Sequence, residues 1–495
     1  MAKKKSTKKI SETPRQDAFD AAWAKYRPLV PADELPALEA SLNQPLAQTI
    51  RLNPLKADEH TLENMAARYG MTFEEISFCP EGRRVTAAET LPSQTAEHRG
   101  GYFYIQDSAS MMPAMLYDAE RLASAPLILD LAASPGGKTS HLAARSMDRG
   151  LIIANDSSVS RIPALKTVMK NWGSVNHAIT QFPGESFGEW FPNTFDLVLL
   201  DAPCSMQSLV SIDSHPMRPI TEREEKALAQ RQTALLKSAL SALKPGGQIV
   251  YSTCTLSPDE DEAVVDAILK AFPGKVHVVD AAGRIPHPAP GVTEAYGTAF
   301  DPSVKGAVRL WPHRYGTAGF FACLLEKTDA FSYDIPEGSA PIRPWSKSSF
   351  KEVKTAVIED LAAWLADQFG LDLESIRLGN GTDIYARGDE LWMLPARYVA
   401  EFSTLPSKSV GMRMATRTVG GFVPDNDWMC RYFSRAEGIQ LTPDDEQIIQ
   451  WKNGGDIRPD GVSLPKGQIV LVKDAYGIFL GCGKVSGDRV RNFNK

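Results

Sequence analysis

Cysteine is scarce in this chain. Six occur in 495 residues (Cys79, Cys204, Cys254, Cys323, Cys430 and Cys482), spread over the whole length with no CxxC pair. That spacing supports neither a disulfide framework nor a zinc site, and no metal is expected. Long apolar runs are missing too. None approaches the ~18–20 uninterrupted residues that a membrane-spanning helix needs. The basic start, MAKKKSTKKI, leads into SETPRQDAFD and not into an apolar segment, so it does not read as a secretory signal. A cytoplasmic protein is expected. An overall basic charge is also lacking: the formal net charge is −6, although five lysines fall in the first ten residues. A nucleic-acid partner would therefore need a local basic face, because the field of the whole molecule repels phosphate. The tail over residues 1–15 reads as a solvated, disordered end, with screening of nucleic-acid phosphates as the alternative.

What is present is the composition of an ordinary globular protein, 43% hydrophobic and 23% charged, with length for roughly three domains. Residues 16–100 read as mostly helical, with helical spacing of apolar residues in DAFDAAWAKY, ADELPALEASL and ADEHTLENMAARYG. One basic, extended piece, IRLNPLK at 50–56, interrupts them. From 101 to 328 short β-rich runs alternate with helical segments: PLILDLAA, GLIIAND, HAITQF, FDLVLLD, GGQIVYST, KVHVVD and GFFACLLEK. That alternation predicts an α/β, doubly wound (Rossmann-like) domain with a parallel sheet covered on both faces. Between the fourth and fifth runs a long helix is expected, with Leu228, Leu235, Leu236, Ala239 and Leu243 as its buried stripe and Pro245-Gly246-Gly247 as its stop. Residues 329–384 read as a linker followed by a helix. From 385 to 495 the segments are short and β-like, ending in the hairpin signal GQIVLVKDAYGIFLGCGKVSG.

The segment LILDLAASPGGKTSHLAA puts Asp130 at a strand end, Gly136-Gly137 in a tight turn, and Lys138 and Thr139 at the start of a helix. Glycines let the backbone approach a ligand, and a helix N-terminus favours electron-rich groups. The loop is neither GxGxxG nor a Walker A motif. Asp156 ends the next strand, where doubly wound folds grip ribose hydroxyls with an acid. An adenosine-type ligand follows, and S-adenosylmethionine is the natural candidate. The competing structural reading makes Asp130 and Asp156 helix caps and the glycines a plain turn.

Two of the six cysteines lie just past strands, in FDLVLLDAPCS and GGQIVYSTCTL. Carboxyl ends of strands line the ligand crevice, so Asp201, Cys204, Thr253 and Cys254 should share a rim with Asp130 and Asp156. A thiol beside a methyl donor suggests covalent catalysis on a weakly nucleophilic ring carbon such as carbon 5 of cytosine. Addition of a thiolate to carbon 6 would make the ring an enamine able to take the methyl. Asp201 could stabilise the adduct on the pyrimidine edge, and the second cysteine could help remove the carbon-5 proton. The chemistry alone does not say which cysteine is the nucleophile. The bland alternative makes both of them small buried hydrophobes.

Together these segments resemble the Sun/nucleolar-protein family of RNA cytosine-5 methyltransferases. The resemblance runs from IRLNPLK through GYFYIQDSASMMP, DLAASPGGKTSHLA, ANDSSVSR, DAPCS and GGQIVYSTCTLSPDEDEAVV to GFFACLLEK, roughly residues 45–328. The C-terminal part, with LTPDDEQIIQWKNGGDIRP, is similar to the PUA-like extension of bacterial F-type members that act on small-subunit ribosomal RNA. The resemblance implies an S-adenosylmethionine loop over Ala132, Ala133, Ser134, Pro135, Gly136, Gly137 and Lys138. It implies a ribose-binding acid at Asp156, an acid shared between cofactor and cytosine at Asp201, the nucleophile at Cys254 and the product-releasing cysteine at Cys204. It further implies RNA as partner, as ribosomal RNA or a ribosomal subunit, and a monomer is expected. Flipping a base out of its stack needs extra RNA-gripping surface. Arg51 and Lys56 in the N-terminal region and the β-rich 385–495 domain are the candidates. Two positions depart from the family pattern. DAPCSMQSLVSIDSHP stands where the family continues DAPCSGEG and then a basic pair, and Pro183 stands where an aspartate contacts adenine. Alternatives are an inactive RNA-binding homologue, the same chemistry on transfer RNA, and a methyltransferase for a protein or small molecule.

Overall fold

The computed structural model describes residues 13–42, 44–209, 219–287, 289–331, 339–459 and 464–493. The lysine-rich start and residues 210–218 of the departing loop lie outside them. Among the described residues the central sheet has nine strands, two of them the short Val308–Leu310 and Ser409–Val410. The other seven are β1 Leu127–Asp130, β2 Leu151–Asn155, β3 His177–Thr180, β4 Phe195–Asp201, β5 Leu243–Thr253, β6 Val276–Val279 and β7 Phe320–Lys327. Their order is β6-β7-β5-β4-β1-β2-β3. β7 runs antiparallel to both β5 and β6, and the other neighbours pair in parallel. The expected doubly wound domain is therefore present.

Strand side chains alternate between two apolar cores, as the two-residue period demands. Leu127, Leu129, Val198 and Leu200 face one core with Leu235, Leu236 and Ala239 of the helix Glu222–Ala242. Ile128, Leu197 and Leu199 face the other, with Leu142, Leu165 and Met169 of the helices after β1 and β2. The helix Glu222–Ala242 ends earlier than its Pro-Gly-Gly stop suggests. Leu243 already pairs with Phe195, and the register slips before Gln248 meets Leu197, so Pro245-Gly246-Gly247 bulges inside β5. Leu228 is half-buried, whereas the rest of the expected stripe is buried.

The N-terminal region departs from the mostly helical expectation. Helices Thr13–Tyr26, Leu35–Leu42 and Thr61–Tyr69 are as read, but an antiparallel sheet joins them. Its strands are Thr72–Ile76, Cys79–Ala87, Thr49–Leu52 and Phe103–Ile105, in that spatial order. The last of these lies past residue 100, so a boundary there cuts the sheet. Charged side chains on the exposed face, with Glu74 set 3.4 Å from Arg84 across two strands, hide the apolar alternation that would have announced it.

After residue 339 the helix Thr355–Phe369 is as expected. The strand Thr382–Arg387 runs across the boundary placed at 385, in a five-stranded sheet that begins at Lys351–Glu352. A second, four-stranded sheet contains the expected hairpin, Ile469–Lys473 against Phe479–Ser486. The C-terminal part also reaches into the central sheet, where Ser409–Val410 pairs antiparallel with β3. No described helix is long and apolar enough to cross a membrane.

Candidate active site

The carboxyl ends of β1, β2, β4 and β5 carry the expected residues onto one rim. β1 ends at Asp130, whose Oδ2 accepts a 2.6 Å bond from the Thr139 hydroxyl. Its Oδ1 is buried without a partner. Burial pushes this carboxyl up to about 7, against the Thr139 bond. The loop Ala132–Lys138 turns from β1 into the helix Gly137–Arg145, with Gly136 at φ +113°, a conformation that favours glycine. The backbone of this loop is held by Asp156 just past β2. The Asp156 carboxylate accepts from Ser134 N at 3.2 Å and Ser158 N at 2.8 Å, and Arg161 lies 3.4 Å away. The bond to Ser158 N closes a local turn and caps no helix, since the next helix begins at Ile162 with Arg161 at its N-cap. A nucleoside-type ligand fits the set: an unpaired buried acid oxygen, a glycine turn at a helix start, and an acid at the second strand end.

Asp201 closes β4. It accepts from Lys138 Nζ at 2.7 Å through Oδ2 and from Ser252 Oγ at 2.9 Å through Oδ1. Lys138, assigned by the resemblance to the cofactor loop, thus spends its charge on the acid that the resemblance places between cofactor and base. Burial opposes the Lys138 ammonium, yet Asp201, with further attraction from Cys254, holds it above its ordinary value. Three residues beyond Asp201, Cys204 meets Cys254 with the sulfurs 3.0 Å apart. Both are free thiols and half-buried. The hydrogen bond to Cys254, then burial, pushes the Cys204 thiol well up.

The other four cysteines are buried, and burial raises each of their thiols, so for them the bland reading holds. Pro183 follows β3, where the neighbouring Gln181 side chain donates to Ser157 O at 3.1 Å. Asn155 ties this segment to the loop after β1, donating to Leu131 O and Phe182 O.

Sequence reasoning missed the support beneath the two thiols. Glu260, buried, accepts from Ser205 N at 2.9 Å, from the Ser205 hydroxyl and from Gln232 Nε2 at 2.9 Å. Burial raises its carboxyl. Gln232 also donates to Pro203 O at 3.0 Å, so a helix side chain and an acid together pin the Cys204 segment from both sides. Thr253, next to Cys254, donates to Asp261, and Glu262 forms a two-bonded pair with fully buried Arg309. The signal available was PDEDE after the second cysteine, an acidic run too close to a buried strand end to be plain surface.

Arg51 and Lys56 do not face RNA. Arg51 is fully buried, donating to Gln106 at 2.9 Å, to Gly137 O at 3.0 Å and to Ser140 Oγ at 2.7 Å, above the Trp172 ring. Lys56 donates to Gly100 O and Asn171 O, both at 2.8 Å. Both cations seat the N-terminal sheet on the central domain, and Arg51 braces the start of the helix Gly137–Arg145. Their charge satisfies backbone oxygens that burial would otherwise leave unpaired.

With this geometry in place, the chain can be set beside known proteins. Residues 120–326 match the family model for the 16S rRNA methyltransferase RsmB/F, and residues 20–108 match the N-terminal domain of 16S rRNA methyltransferase RsmF. A ribosomal RNA small subunit methyltransferase F from Vibrio atlanticus is 31% identical over 462 residues, 93% of this chain and 92% of the relative. The chain belongs to the RsmB/F family of ribosomal RNA methyltransferases. A second relative of the same description, from Vibrio parahaemolyticus, is 30% identical over 96% of both chains. Among solved structures, a methyltransferase homolog from Pyrococcus horikoshii superposes with a TM-score of 0.53 at 28% identity, covering 64% of this chain and all of that one. NSun6 from the same organism, solved with SFG, has a TM-score of 0.52 at 21% identity and shares the fold over 63% of this chain and 98% of its own. The RsmB/F chain described here is a ribosomal RNA methyltransferase, and its methyl donor is S-adenosylmethionine.

Proposed function

We propose that the enzyme methylates carbon 5 of a cytidine in small-subunit ribosomal RNA through a covalent bond between Cys254 and carbon 6. The observation that carries this reading is the pair of thiols 3.0 Å apart on adjacent strand ends, beside an acid held by a lysine. Ala132–Lys138 and Asp156 would hold S-adenosylmethionine, which supplies an electrophilic methyl group.

The chain's own groups do the rest. Cys254 attacks as the thiolate, a charge that the Lys138 cation on the same rim would favour. The sulfur adds to carbon 6, and the electron pair displaced toward carbon 5 lets that carbon take the methyl. Asp201, held by Lys138 and Ser252, would accept a bond from the exocyclic amino group on the pyrimidine edge and so orient the ring for attack. While Cys254 is free, its hydrogen bond helps to keep Cys204 protonated. Once Cys254 is bonded to carbon that restraint is gone, and Cys204, after giving its own proton to solvent, serves as the base. The thiolate then takes the carbon-5 proton, the carbon–sulfur bond breaks, and its electrons return to Cys254.

The first half of the departing loop, through Leu209, keeps Cys204 and Ser205 in place, and none of the groups needed for the covalent steps is lost there. We read the enzyme as acting in the cytoplasm, where a ribosomal substrate is found. The test is a denaturing gel with labelled small-subunit ribosomal RNA and S-adenosylmethionine. Cys204→Ala should accumulate a denaturant-resistant protein–RNA adduct, and Cys254→Ala should give none. Asp201→Asn should lower kcat by about 10²–10⁴, the usual worth of a positioned acid–base group. Methyl transfer by wild type with no trapped adduct in Cys204→Ala would overturn the covalent route.

A further inference from the structure

Beyond β3, where Ser409–Val410 extends the central sheet, a cleft of about 130 Å³ opens between the segment Arg343–Phe350, the strands Thr382–Arg387 and Glu390–Pro395, and the loop 403–410. That is room for several waters or one planar ring. Its walls are aromatic. Trp345 stacks on Phe350, Phe350 meets the Trp392 ring edge-on at 5.6 Å, and Arg387 lies 4.2 Å over Trp392.

The mouth of the cleft is cationic. Arg343 and Lys408 are exposed on it, and Lys166, half-buried on the helix Ile162–Trp172, lies within electrostatic reach of Lys408 and Arg387. Burial, then the charges of Lys408 and Arg387, hold the Lys166 ammonium below its ordinary value. Among the described residues, the carboxylate that ion-pairs with this group is Glu390, on Arg387. In a chain of net charge −6, such a concentration of cations around stacked aromatics, with one carboxylate among them, suits an anionic partner with flat apolar faces. Single-stranded nucleic acid has both, one phosphate and one base per unit.

We propose that this cleft holds an unpaired stretch of the RNA substrate beside the target nucleotide, a base entering against Trp345 and Trp392 while phosphates lie on Arg343, Lys408 and Lys166. The position suits that task. Lys408 N donates to Ile179 O at 2.7 Å near the carboxyl end of β3, so the cleft opens beside the rim that carries the thiols. Four strand spacings separate it from β4, about 19 Å at ~4.8 Å each. The inference rests on the chain's ribosomal RNA methyltransferase activity and not on which atom receives the methyl.

The experiment measures binding of protein-free small-subunit ribosomal RNA, and of intact small subunits, as a function of salt. The full-length triple variant Lys166→Ala/Arg343→Ala/Lys408→Ala is compared with wild type, with S-adenosylmethionine affinity as the control for folding. Loss of three single-strand phosphate contacts should flatten the slope of log K against log[salt] by about 2. That corresponds to about 100-fold in affinity gained by wild type, but not by the variant, between 1 M and 0.1 M salt. Trp392→Ala should weaken binding with little change in slope, since stacking is not a counterion effect. An unchanged slope and affinity in the triple variant would overturn the proposal. So would a loss confined to intact subunits, which would make the partner a ribosomal protein. If wild type itself bound no small-subunit RNA, the RNA reading of the whole chain would fail, a result distinct from failure of the cleft.

Discussion

Cys204 Sγ lies 3.0 Å from Cys254 Sγ, at the ends of two parallel strands that are neighbours in the sheet. At that separation the two thiols share a hydrogen bond, and each is in reach of the other for oxidation. Diamide, a two-electron oxidant, should take both thiol hydrogens and leave a Cys204–Cys254 disulfide. Methyl transfer should then stop and should return on treatment with dithiothreitol. Peptide mapping of the oxidised protein checks the pairing, and activity lost without a linked peptide pair would refute it.

Glu260 holds the segment that carries Cys204. Glu260→Ala would leave Ser205 N–H, the Ser205 hydroxyl and the Gln232 amide without an acceptor in the interior. The expected cost is about 2–4 kcal/mol of stability, with Glu260→Gln milder. A loosened Cys204 should also prolong the RNA adduct, which a loss of stability alone would not do. Adduct lifetime in a chase experiment separates the two effects.

The stability of the protein should carry the signature of Asp130. Its folded pKa, raised by burial to about 7, exceeds the ordinary carboxyl value, so the folded state keeps a proton that the unfolded chain has released. Stability therefore falls as pH rises from about 4 to about 7, and is level above that. The gap between the folded and unfolded values corresponds to at most ~4 kcal/mol. Denaturant titrations across this range should show the slope in wild type and not in Asp130→Asn.

Arg51→Met keeps an apolar stem over Trp172 but removes the bonds to Gln106, Gly137 and Ser140. We expect a loss of about 2–4 kcal/mol and weaker cofactor binding, because Gly137 belongs to the loop. The salt slope of RNA binding should not change. A flattened slope would restore Arg51 to the RNA surface.

The central sheet and the rim were legible because parallel strands buried on both faces read as unbroken apolar runs, and chemistry follows directly on their ends. Cys204, Cys254, Asp201 and Asp156 could be placed from that alone. Arg51 could not, since a cation in a polar string looks exposed until the fold supplies Gly137 and Ser140 from a distant helix. The N-terminal sheet was hidden for a related reason. Its exposed face is built from paired charges such as Glu74 and Arg84, which mask the two-residue period. Glu260 shows the same limit from the other side: its partners Ser205 and Gln232 are remote in sequence, so a buried acceptor looked like one more member of an acidic run.

The pairing of Ser409–Val410 with β3 has a consequence for the integrity of the fold. A sheet that stopped at β3 would expose an open row of backbone donors and acceptors along His177–Thr180, a template for association with another chain. The C-terminal part fills that row with its own backbone. A protein cut before residue 409 would lose more than its outer sheets, because its catalytic half would carry an adhesive flank, and clumping of that fragment would be mistaken for loss of chemistry.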